Sequence, residues 1–438
     1  PRKRENIIPA RIDLSRTTGR LALMDVNFGR NMAGVKPGEV KKLLVLEQLP
    51  KPFNTSGGPE PTSMGGTFTL KRILGTIPVE PDGSAYMELP ALRSLFFVAL
   101  DENDLSIKRM QSFVTLQPGE FTSCSGCHEK RTYTPKRPAN GEPMALRKPA
   151  SPIVPIPDIP EVFDYPRDIQ PILNRHCIAC HDYSPAIKGG PRAGGIILSG
   201  DHGPMFSHSY ASLTLHQQFA DGRNGSGNKP PRTIGTSASP LMTKIDGSHY
   251  NVTVSPKERE MIRYWIEAGA NYIGTYAALC DGWVKVAADT IIKYNCGACH
   301  PPNLNNKLNP ELIYNLSRPE KSLALLAPLS KEKGGYGFCN NKEGKPVFST
   351  TDDKAYQSIF SSIMSASGEL NRMKRFDMPG YRPILTYFQL MKEYGLLPEK
   401  FDLKKDTIDY YQMDEKYWRS FWYKPVIAKD KALSKTPE

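Results

Sequence analysis

The chain has 438 residues, 39% of them hydrophobic and 23% charged, with a formal net charge of +12. That length allows two to four domains with cores of their own, and no apolar run approaches the ~20 residues of a membrane span; Ser94–Leu100 is the best and is far too short. No nucleic-acid motif and no basic run interleaved with aromatics is present, so the excess charge is expected on a solvated basic surface that would steer acidic partners.

The sequence opens Pro1-Arg-Lys-Arg with neither Met nor signal peptide, and reads as a mature or trimmed chain. Residues 1–130 are expected to form a β-rich domain. Val40–Leu46 is a strand candidate, and Gly66–Ile73 alternates with Phe68 and Leu70 on one face. Pro81-Asp-Gly-Ser84 is a turn joining Thr76–Val79 to Ala85–Leu89, since Pro sets φ and Gly supplies positive φ. Leu95–Leu100 and Lys108–Leu116 are further strand candidates. Residues 131–167 hold nine prolines and read as an extended linker.

Residues 168–278 start with a short helix, Asp168–Arg175, and continue through glycine-rich loops. A closing helix starts at Ser255-Pro-Lys-Glu258, which has the form of a capping box. Met261, Ile262, Trp265 and Ile266 form its apolar stripe, expected as plain core. Residues 279–398 repeat this plan loosely, with helices expected at Val284–Tyr294, Asp352–Met364 and Tyr381–Tyr394, the last stopped by Gly395 and Pro398. The tail, 399–438, is polar and aromatic and is expected to wrap a neighbour.

Three words carry the chemistry: Cys124-Ser-Gly-Cys127-His128, Cys177-Ile-Ala-Cys180-His181 and Cys296-Gly-Ala-Cys299-His300. Each is Cys-x-x-Cys-His, the attachment signature of c-type haem: two thiols form thioethers to one porphyrin edge and the adjacent imidazole reaches the iron. These words take six of the eight cysteines and three of the eight histidines. Zinc is the rival cofactor. Zinc ribbons, however, keep their cysteine pairs roughly 15–20 residues apart, whereas these words start 53 and 119 residues apart. Three covalent haems are therefore expected, in an α+β multidomain chain. Its β-rich N-terminal domain ends in the first haem word, and two mainly α, cytochrome c-like domains with long loops follow. Haem attachment places the chain in the periplasm or another extracytoplasmic compartment.

For the second haem the distal candidate is His249, just before the closing helix, with His208 and His216 as runners-up. No histidine follows the third word, and Met378, in Asp377-Met-Pro-Gly380, is its candidate. A His/Met pair would raise the potential. The first word has no obvious distal ligand; Tyr133 lies five residues beyond His128. An open or unusually ligated iron there would mark a catalytic haem. The two remaining cysteines, Cys280 and Cys339, could close a disulfide around the third word.

Asn31–Leu43, Pro61–Phe68, Val114–Glu120, Gly203–Ser209, Trp265–Ala270 and Asp377–Pro383 resemble segments of the hydrazine synthase alpha-subunit family. The resemblance implies a middle domain with an unusual haem and a C-terminal domain with a bis-histidine haem, and the expected chain begins after that family's β-propeller. By position it puts the unusual haem at the first word, with Tyr133 as proximal ligand and the displaced His128 on zinc, and makes His181 and His249 the bis-histidine pair. The expected function is a triheme electron-transfer subunit of a larger redox complex, with other redox subunits as partners. The alternative is a hydrazine synthase-like oxidoreductase, with small nitrogen compounds as substrates and its catalysis at the first haem.

Overall fold

The computed structural model describes residues 12–52, 62–64, 69–127, 141–186, 191, 193–219, 229–279, 283–288, 291–292, 296–297, 300, 308–402 and 404–425. It is mixed α/β, with β-sheets first and helices after them. Strands β1 (Thr18–Leu23), β2 (Lys42–Gln48), β3 (Lys71–Pro78), β4 (Ala85–Pro90), β5 (Leu95–Leu100), β6 (Ser106–Arg109) and β7 (Phe121–Cys124) make two sheets, ordered β4-β1-β7 and β3-β2-β5-β6. β1 runs antiparallel to β4 and parallel to β7.

β2 reads Lys-Leu-Leu-Val-Leu-Glu-Gln and is buried along almost its whole length. A strand covered on one face would alternate; a near-continuous apolar run needs cover on both. Leu43 and Val45 of β2 and Leu95 and Ala99 of β5 face the first sheet, meeting Leu21, Leu23, Met87 and Leu89. Leu44, Leu46, Phe96, Val98 and Leu100 face the opposite way, into a larger core built with helices. The four-stranded sheet is thus the shared wall of two cores. Gly66–Ile73 and Thr76–Val79, expected as two strands, contribute instead to one described strand, β3, with a register shift opposite Val45/Leu46. This bulge flips the alternation, so that Ile73 enters the helical core and Ile77 the sandwich core.

The longer helices are α1 (Gln170–His176), α2 (His208–Leu215), α3 (Pro256–Glu267), α4 (Lys354–Met373), α5 (Leu385–Glu393) and α6 (Tyr410–Ser420). The stripe expected on α3 is core: Ile262, Trp265 and Ile266 are fully buried. The helix expected from Val284 does not begin there, because Val284–Val286 have no helical structure. A separate core under the third word joins Val284, Val286 and Ile313 to Tyr356, Ile359, Ile363 and Leu370 of α4.

The described part of the tail folds back on the chain itself. α6 packs back on the chain, placing Met413, Tyr417 and Trp418 in the helical core with Tyr387 and Phe388 of α5. Buried Asp414 accepts hydrogen bonds from Tyr387 Oη, Thr275 Oγ1 and the Tyr276 amide. Trp418 and Trp422 lie against the Arg72 guanidinium, each ring centre 5.0 Å away, and Trp422 also covers Arg93 at 4.1 Å. Arg93 in turn pairs with Glu47 of β2. The aromatic character of the tail is therefore explained within the chain. No described helix is long and apolar enough to cross a membrane.

Candidate functional site

The second word is one turn of helix at the end of α1. The His181 amide donates to the Cys177 carbonyl at 2.9 Å, and the third word repeats this bond from His300 to Cys296 at 2.8 Å. A helical turn puts positions i, i+3 and i+4 on one face, which is the placement of the two cysteines and the histidine in Cys-x-x-Cys-His. Two thiols and an imidazole can then meet one flat group together.

His181 Nδ1 donates to the Ile196 carbonyl at 3.0 Å, which fixes the ring and leaves Nε2 with a lone pair. Burial lowers the His181 pKa and favours the neutral, ligating form. Across a cavity of about 430 Å³ lies His249, and both rings line it together with Cys177 and Cys180. The two rings are stacked, with centroids 6.0 Å apart and planes 26° apart. Two metal–imidazole bonds of about 2 Å each, plus about 1 Å from each nitrogen to its ring centre, give about 6 Å. The separation of the two imidazoles and the two thiols beside them suit a metal held in a flat, thiol-anchored group. Burial pushes the Cys177 thiol up to about 11, so it is protonated at neutral pH in the absence of such a group.

The two runner-up histidines are placed differently. His208 is fully buried, with Nε2 donating to the Tyr314 carbonyl at 3.0 Å and Nδ1 3.1 Å from Tyr183 Oη. Both its nitrogens are used within the protein. His216 is exposed at the end of α2.

Cys296 and His300 line a larger cavity, about 880 Å³, with Tyr336, Leu323 and Val347. His300 Nδ1 is buried with no hydrogen-bond partner among the described residues. Met378 packs against the core that also holds Cys296, but it does not line this cavity. Cys339 lines it; its expected partner Cys280 lies outside the described residues, as does Cys299.

The first word is built on another plan. Cys124 ends β7 opposite Leu23 of β1, and Cys127 forms an isolated parallel bridge with Gly29. The Cys127 amide donates to the Phe28 carbonyl at 2.7 Å. A Cβ at Gly126 would lie 2.0 Å from that carbonyl, so the second of the two residues between the cysteines is held to glycine. Both cysteines line a cavity of about 310 Å³ between the sheets, with Leu21, Leu43 and Phe97 and the basic Lys108 and Arg109. His128 and Tyr133 lie outside the described residues. Among the described residues no group of three or more His, Cys, Asp or Glu side chains forms a metal cage.

Two of the family-like segments meet elsewhere, through residues to which sequence reading gave no role. Arg375, buried, donates two hydrogen bonds of 2.8 Å to Asp377 and one of 3.1 Å to the Gly203 carbonyl. Glu311, its pKa raised by burial, accepts from the Met205 and Phe206 amides. These contacts clamp the second-word module to the third. A buried arginine flanked by two acids is invisible to periodicity, because, Asp377 apart, its partners Glu311 and Gly203 are distant in sequence.

Residues 38–129 match the family model described as the hydrazine synthase alpha subunit middle domain, from just before β2 into the first word. No curated protein matches the chain. A solved structure of Kuenenia stuttgartiensis hydrazine synthase matches with a TM-score of 0.41 and 19% identity, over 59% of this chain and 44% of that one. The chain thus spans less than half the length of that relative. The family resemblance read from the sequence is borne out as a partial and distant relationship, resting on the strands around the first word.

Proposed function

We propose that the chain is a multihaem c-type cytochrome, a redox subunit of a larger complex that passes electrons to and from partner proteins. The observation that carries this reading is the stacked His181–His249 pair, 6.0 Å apart over a cavity that also exposes Cys177 and Cys180. Cys177 and Cys180 would anchor the haem edge, with His181 and His249 as axial ligands. Cys296, Cys299 and His300 would hold another haem, with Met378 as its proposed sixth ligand, and Cys124 and Cys127 a further one. Haem supplies one-electron exchange at iron, while the protein sets potential through ligands and burial. His181, held by Ile196, is pre-oriented for this role. Cytochrome c-like domains, a Cys280–Cys339 disulfide, an extracytoplasmic location and acidic redox partners belong to the same proposal.

A second reading has its own observation. The first word leaves a strand and a bridge rather than a helical turn, and it closes the segment that matches the hydrazine synthase alpha middle domain. A site built differently from the other two suits an unusually ligated haem, with Tyr133 as ligand and His128 displaced onto zinc. This would make the chain a hydrazine synthase-like oxidoreductase acting on small nitrogen compounds.

Pyridine haemochrome assay with denatured intact mass tests both. Three covalent haems support the cytochrome reading. Two would leave one word vestigial or holding zinc, and none would sink it. With haem present, a high-spin component that shifts with carbon monoxide favours the enzyme; a wholly low-spin spectrum indifferent to carbon monoxide removes it.

A further inference from the structure

The loop that leaves the second word walls two cavities at once. Ala193 and Gly194 line both the cavity of Cys177 and His181 and the cavity of Cys296 and His300. The next residue, Gly195, lines the third-word cavity, and Ile196 lines the second-word cavity. The Ile196 carbonyl is the group that accepts the His181 Nδ1 hydrogen bond. One hydrogen bond and the backbone of Ile196 therefore join the second word's imidazole to the wall of the neighbouring cavity.

The two residues that line both cavities, Ala193 and Gly194, carry a single methyl group between them. Ala193, Gly194 and Gly195 all have positive φ, at 53°, 69° and 78°. Successive glycines permit this conformation, and a Cβ at either glycine would meet nothing within 4 Å. A second link runs beside it: Tyr336, a wall residue of the third-word cavity, donates to the Tyr183 carbonyl at 2.6 Å, two residues beyond His181. The Arg375–Asp377–Gly203 clamp and Glu311 keep the two modules from swinging apart. Among the described residues, the first-word cavity shares no wall residue with either of the others.

We propose that residues 193–196 are an electron bridge between the second and third haem sites, which work as a coupled pair while the first stands apart. The proposal rests on reading both words as haem sites. Electron transfer weakens steeply with distance and is better through bonds than through space, so a backbone-thick partition is where exchange is fastest. One electron moves: the ferrous partner is oxidised, the ferric partner reduced, no bond breaks and no proton shifts. Two charge-changing centres on either side of so thin a wall must also feel each other's oxidation state.

The test is electron paramagnetic resonance and potentiometric titration of the full haem-matured chain, with haem counted by mass. Cys296→Ala/Cys299→Ala, which removes the third haem, should shift the potential of the second haem and sharpen its ferric low-spin signal. Cys124→Ala/Cys127→Ala should do neither. Equal second-haem potentials and signals in both variants would overturn the pairing. If the first of these variants does not fold, the unsubstituted chain decides: the second haem's signal should change shape as the third is reduced, and a constant shape counts against the proposal. Gly194→Asn, which tolerates positive φ, should alter the coupling without loss of haem. A chain carrying no haem overturns both this pairing and the reading beneath it, whereas three independent haems overturn the pairing alone.

Discussion

His249 and His208 are both histidines between the second and third words, and their surroundings separate them. His249 faces His181 across a cavity, while His208 spends both nitrogens on Tyr183 and Tyr314. On the cytochrome reading, His249→Ala should turn one haem high-spin in the visible spectrum, and an unchanged spectrum would remove His249 from the ligand set. His208 should act on stability instead. Burial pushes it down to about 4 from an ordinary 6.5, against the opposing pull of Asp201 and with His202 and Arg318 also near. The folded chain resists the proton that the unfolded chain takes up. Stability should be full above pH 6.5 and fall as pH drops from 6.5 toward 4, by up to about 3 kcal/mol. His208→Gln should flatten that slope, read as urea midpoints of the two proteins at pH 7 and pH 5. Equal slopes would assign the acid sensitivity to other groups.

Among the elements, the capping box of α3 was legible because all its parts are local: Ser255 accepts from the Glu258 amide while Glu258 reaches back to the Ser255 amide at 2.9 Å. The same Glu258 carboxylate meets Arg175 and His176 at the end of α1, so the cap also steadies the helix that delivers the second word. Ser255→Ala should cost about 1 kcal/mol in a denaturant titration; a loss below about 0.3 kcal/mol would show the cap to be redundant. Leu95–Leu100 was read at its observed bounds because its apolar run is continuous. β1 and β7 were not read, since Phe-Thr-Ser-Cys has no apolar rhythm and its partner strand lies about a hundred residues earlier. α6 was missed for a related reason. Trp418 in it and Trp422 just after it look like surface aromatics until Arg72 and Arg93, more than 300 residues away, are placed beneath them. The folded tail leads to a prediction of its own. Trp418→Ala should destabilise the chain by about 3–5 kcal/mol, whereas a tail that docks only on a partner would leave the thermal midpoint of the isolated chain unchanged.

Of the three cavities lined by the words, one lies within a core filled from both sheets and two do not. The β-sandwich core is filled from both sheets, and its cavity of about 310 Å³ is the smallest of the three. The second- and third-word cavities, about 430 and 880 Å³, are bounded by loops and single turns rather than by long elements. Their linings are mostly apolar, so a flat apolar group bound there would bury surface that is otherwise left to water. Loss of the group should then open the walls locally while leaving the sandwich intact, because free energies of local opening follow local packing. Cys177→Ala/Cys180→Ala therefore makes a spatially resolved prediction for hydrogen exchange. Protection should fall in the loop around residues 193–200 and around His249, and should stay unchanged in β2 and β5, which are buried on both faces. Uniform loss across the sheets would mean that the second-word site and the sandwich unfold as one unit, and the proposed division into a β core and cofactor-completed modules would be wrong.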